Sequence, residues 1–80
     1  MTRQMLMPKL NEMQSDVTVA EWLVNVGDTI QEGKAVMSVE TDKVTVDVEA
    51  ETTGKVMRLL VTKGDVVSVG QPIMEVNISP

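Results

Sequence analysis

Eighty residues with no cysteine and no histidine exclude a disulfide framework and the usual zinc sites, so stability has to come from aliphatic packing. A net charge of −5 and a single aromatic residue, Trp22, exclude the basic stripe and stacking side chains that bind nucleic-acid backbones. No apolar run reaches the length of a membrane span, and the opening MTRQMLMPKL lacks the apolar stretch of a secretory signal. A reducing, soluble compartment is expected: bacterial cytoplasm, since Met1 is present and Arg3 alone is too little for a transit peptide, with a mitochondrial matrix as the alternative.

Fifteen valines favour pleated surfaces. Strand-like runs follow one another at residues 3–8, 17–26, 35–41, 44–49, 54–61 and 72–78, with short extra pairs near Ile30 and Val67, and no window sustains a helical period. The methionines of the first run read as core filler, and Trp22 as a packing residue at a sheet edge. Gly27-Asp28 and Gly64-Asp65 are turn chemistry between runs.

The chain also repeats itself. LVNVGDTIQEGKAVMSVE, residues 23–40, aligns with LVTKGDVVSVGQPIMEVN, residues 60–77, at a shift of 37, with seven of eighteen positions identical. Two related halves of about four short strands each predict an all-β domain of two packed antiparallel sheets, residues 1–80 with a core over about 3–78.

The third and fourth runs meet in VETDKVTVDVEAE, where Lys43 is the one cation among Glu40, Asp42, Asp47, Glu49 and Glu51. A two-residue turn at Asp42-Lys43 sets Thr41 against Val44, Val39 against Val46 and Met37 against Val48 on the inner side, with Glu40–Thr45 and Ser38–Asp47 outside. A three-residue turn would oppose Val39 to Asp47, so the apolar pattern selects the register and leaves Lys43 at the tip. Asp-Lys is nevertheless poor chemistry for a tight hairpin, which prefers glycine.

Ser15, Ser38, Ser68 and Ser79 have no histidine to act as base, and so small a sandwich has little volume for a substrate cleft. GDTIQEGKA fails as a phosphate loop, because five residues separate Gly27 from Gly33 and Ala35 stands where a hydroxyl should meet magnesium. Metal binding and independent catalysis are not expected. An exposed loop lysine is ordinarily just that. A flexible amine at the apex of a register-locked hairpin, however, is a suitable place to attach a prosthetic group.

ETDKVTVDVEA resembles the attachment hairpin of the biotinyl/lipoyl carrier family, and MPKLNEMQSDVTVAEWLVNVGDTIQEGKAVMSVETDK is similar to that family's first half. The resemblance covers residues 6–78. It implies a flattened β-barrel of two four-stranded antiparallel sheets with quasi-two-fold symmetry. It also implies lipoate, amide-linked to Lys43, in the acyltransferase (acyl-CoA-forming) component of a 2-oxo acid or acetoin dehydrogenase complex. Such a swinging arm carries acyl groups and reducing equivalents between active sites. The partners implied are a thiamine-diphosphate-dependent decarboxylase, the acyltransferase catalytic domain, a flavin dihydrolipoamide dehydrogenase and a lipoate-attaching enzyme.

Asp42, Val44, Thr41 and Glu40 flank the lysine, the last two readable either as strand pairing or as a recognition surface. The loop of Asn11, Glu12, Met13, Gln14 and Ser15, ahead of Asp16, is implied to lie beside the hairpin and to help the decarboxylase recognise its carrier. Biotin carriers usually set the lysine between methionines, which this chain does not. A biotinyl carrier domain of a carboxylase is one alternative, and an unmodified barrel-sandwich adaptor the other.

Overall fold

The computed structural model describes residues 1–10, 16–41 and 44–78. The valine-rich runs become β1 (Thr2–Leu6), β2 (Val17–Trp22), β3 (Thr29–Ile30), β4 (Ala35–Glu40), β5 (Thr45–Glu49), β6 (Gly54–Leu59), β7 (Val66–Val67) and β8 (Pro72–Asn77). They form two four-stranded antiparallel sheets, ordered β1-β8-β6-β3 and β5-β4-β2-β7, in a flattened sandwich with extents of 38 × 22 × 18 Å. The all-β expectation holds, short pairs at Ile30 and Val67 included.

The shift of 37 is a structural operation. It carries β2 onto β6, β3 onto β7 and β4 onto β8, and so exchanges the two sheets. Backbone bonds outside the strands are exchanged with it. Gly27 N–H donates to the Val56 carbonyl and Gly64 N–H to that of Val19, both at 2.8 Å. Glycine is required at both, with φ of 97° and 94°, because L side chains clash in that left-handed region. The halves differ in one connection: residues 7–16, between β1 and β2, outnumber residues 50–53, between β5 and β6, by six.

Two expected runs prove shorter by two residues or more. Residues 17–26 stop at Trp22 and residues 54–61 at Leu59, since Asp28 and Asp65 fold the chain back by accepting, on Oδ2, the N–H of Asn25 and of Thr62 at 2.8 Å each. Twin bulges also interrupt the alternation. The pairing skips Val36 in β4 and Ile73 in β8, which lets Val36-Met37 and Ile73-Met74 all point inward with no exposure.

The core is aliphatic, and among the described residues no polar or charged side chain is buried in it. Fully burying one Val, Ile or Met side chain is worth about 1.5–3 kcal/mol, which is how a domain without covalent staples is held. Met5 and Met7 pack inside as expected. Trp22 is part-buried against the core, its indole Nε1–H donating to the Val61 carbonyl at 2.8 Å. Gly54 has a different use from the turn glycines. A Cβ there would stand 2.5 Å from the Asn77 carbonyl oxygen, so its hydrogen lets β6 meet β8.

Candidate functional site: the β4–β5 hairpin

The register argued from the apolar pattern is the one observed. Ser38 lies opposite Asp47, Val39 opposite Val46, Glu40 opposite Thr45 and Met37 opposite Val48. On the outer face, Ser38 Oγ donates to Asp47 Oδ1 at 3.0 Å. At the end of the pair, Thr41 N–H donates to the Val44 carbonyl at 2.9 Å, so Thr41 faces Val44.

The inner side does not stay buried to that end. Val48 has no exposure and Val46 is half-buried against the core, but Val44 is 57% exposed. Alternation assigns a side chain to a face without saying how far the apolar interior reaches. Here β5 is an edge strand that runs out beyond it. Val44, expected inside, belongs to the outer surface of the hairpin, and Val46 only partly to the core.

Thr41 carries a role that pattern reading missed. Its hydroxyl donates to the Val44 carbonyl at 3.0 Å and accepts from Val44 N–H at 3.2 Å. Thr41 is half-buried and Glu40 exposed. Asp42 and Lys43 lie outside the described residues, as do Asn11, Glu12, Met13, Gln14 and Ser15.

The described flanks of residues 11–15 are informative. Pro8 and Leu10 border an open groove with Asp47, Glu49, Ala50 and Glu51, along β5 and just past it. On the far flank, Asp16 Oδ1 accepts from Ser68 Oγ at 2.8 Å, Val17 pairs with Val67, and Thr18 pairs with Glu40. The two flanks thus lie apart, Pro8 and Leu10 beside β5 and Thr18 at the level of Glu40. The Ser68–Asp16 bond joins residues 52 apart and had no signal in the sequence. No helix of the described residues is long and apolar enough to cross a membrane.

Residues 3–76 match the family model described as Biotin-requiring enzyme, which covers biotin and lipoyl attachment. The succinyltransferase component of the 2-oxoglutarate dehydrogenase complex of Staphylococcus saprophyticus is 47% identical over 66 residues, 82% of this chain and 16% of that protein. The acetyltransferase component of the pyruvate dehydrogenase complex of Haemophilus influenzae is 40% identical over 74 residues, 92% of this chain and 13% of that protein. Among solved structures, the lipoyl domain of the 2-oxoglutarate dehydrogenase complex of Azotobacter vinelandii superposes with a TM-score of 0.72 at 27% identity, covering 96% of this chain and 98% of that one. A long-chain acyl-CoA carboxylase superposes with a TM-score of 0.77 at 23% identity, a likeness of fold.

The chain belongs to the biotinyl/lipoyl carrier family, as a lipoyl domain of the kind carried by 2-oxo acid dehydrogenase acyltransferase components. It spans less than a fifth of the length of those curated relatives.

Proposed function

We propose that Lys43 is the lipoyl-lysine of this domain. The observation that carries the reading is the bonding of Thr41 to Val44, which leaves Asp42 and Lys43 as the only covalent link between two register-locked strands. The described residues around that link fit an arm that works outside its own domain. Glu40, Val44 and Thr45 are exposed, and the apolar interior ends before them. When bound, the lipoyl dithiolane supplies a disulfide that takes up an acyl group and two electrons and releases them at separate sites.

The chain's own contribution is attachment and presentation. The neutral Lys43 amine forms an amide bond with an activated acyl carbon, the activating group leaves, and Nζ gives up a proton. The carrier thereby becomes one charge more negative. Tethering then keeps a high local concentration of the arm at each active site it visits.

The partners in this reading are a thiamine-diphosphate-dependent decarboxylase, an acyltransferase catalytic domain, a flavin dihydrolipoamide dehydrogenase and a lipoate-attaching enzyme. Residues 11–15 contribute to recognition by the first. Residues 1–80 act as a single carrier domain of an acyltransferase component, in a bacterial cytoplasm. Intact mass after co-expression with a lipoate-attaching enzyme tests the proposal. A lipoyl-sized gain that Lys43→Ala abolishes is expected. A biotin-sized gain, or none, overturns it in favour of the carboxylase carrier or the unmodified adaptor.

A further inference from the structure

We infer that the Thr41 hydroxyl is a positioning group for lysine modification, a role that rests on the attachment reading above. Asp-Lys lacks the glycine that tight two-residue hairpins favour, so something else has to hold the strands together at residues 41 and 44. The hydroxyl does this from both sides of one peptide segment. It donates to the Val44 carbonyl at 3.0 Å and accepts from Val44 N–H at 3.2 Å, beside the main-chain bond from Thr41 N–H at 2.9 Å.

The pseudo-symmetry supplies an internal control. A shift of 37 carries Thr41 onto Ile78, and β5 corresponds to β1, so that Val44 corresponds to Met1. The main-chain bond is repeated there, Ile78 N–H donating to the Met1 carbonyl at 2.7 Å. Ile78 has no hydroxyl; the Met1 amino group donates instead to Asn77 Oδ1 at 3.1 Å and to the Ile78 carbonyl at 3.4 Å, and the adjoining strands pair from Thr2 with Asn77 onwards. Strand pairing at that end is thus closed without a hydroxyl, by the free amino group of a chain terminus, which a hairpin tip does not have. The hydroxyl is present at the end where an amine has to be offered in a fixed place. An attaching enzyme meets the correctly set tip only in the fraction of molecules that populate it, and a smaller fraction raises the apparent KM in proportion.

The experiment compares the wild-type domain with Thr41→Val, Thr41→Ala, Thr41→Ser and Lys43→Arg chains. Each is supplied with a lipoate-attaching enzyme, lipoate and ATP, and modification is followed by intact mass over a range of domain concentrations. Hydrogen exchange at the Val44 amide is measured on the unmodified domain alone. T41V and T41A are expected to exchange faster at Val44 and to show a rise in KM of roughly five- to tenfold, the order expected for losing a net hydrogen bond or two, with kcat nearly unchanged. T41S is expected to restore both. Wild-type KM in T41V and T41A, unaltered Val44 exchange, or failure of serine to rescue overturns the role of Thr41. A K43R chain that still gains lipoyl mass overturns the attachment site instead.

Discussion

Asp28 and Asp65 make the same bond in the two halves, each Oδ2 accepting a backbone N–H three residues back, from Asn25 and from Thr62, at 2.8 Å. Each holds a turn whose glycine reaches into a strand of the other half. Replacing either by alanine is expected to cost about 1 kcal/mol, and the two losses should agree within about 0.5 kcal/mol. Urea denaturation of D28A, D65A and the double variant measures this. A large inequality would show that the repeat is not energetically symmetric.

The fading of burial along β5 predicts a graded response to charge. Val48→Asp places a carboxylate where there is no exposure and should unfold the domain. Val46→Asp, half-buried, should cost about 1–3 kcal/mol, and Val44→Asp, 57% exposed, should stay within about 0.5 kcal/mol of wild type. Thermal and urea midpoints of the three variants test the order. A V44D loss as large as that of V48D would mean that the interior extends to the tip.

Gly54→Ala tests the close approach of β6 to β8. Its methyl would lie 2.5 Å from the Asn77 carbonyl oxygen and 2.6 Å from Val76 Cγ1, so a strand has to shift. A loss of about 1–3 kcal/mol is expected from such overpacking. An unchanged melting temperature would contradict the geometry.

Trp22→Phe keeps the packing ring and deletes the indole donor that bonds Val61 across 39 residues. A loss of about 1 kcal/mol is expected by urea denaturation followed by far-UV circular dichroism. Trp22→Leu, which imitates the partly buried Leu59 at the equivalent position of β6, should cost more, because the ring packs against the core as well.

Most of the fold was legible because alternation and turn chemistry are local. The register of Val39 with Val46 followed from the pattern alone, and the repeat gave two related halves, although not the exchange of their strands between the sheets. What escaped was set by distance or by extent. The bulges at Val36 and Ile73 bury two neighbours in a row, which simple alternation does not allow for. Val44 has the parity of an inner residue but lies past the end of the interior. At the site, Lys43 was singled out by its setting and its family resemblance. The bond of the Thr41 hydroxyl to the peptide of Val44 depends on a rotamer that no spacing rule reports.

Neither half of the chain completes a layer. The sheet centred on β4 and β2 receives both outer strands, β5 and β7, from the other repeat, and β1 and β3 are lent in return to β8 and β6. A polypeptide severed midway would give two fragments, each with an unfinished margin that only the other could cover.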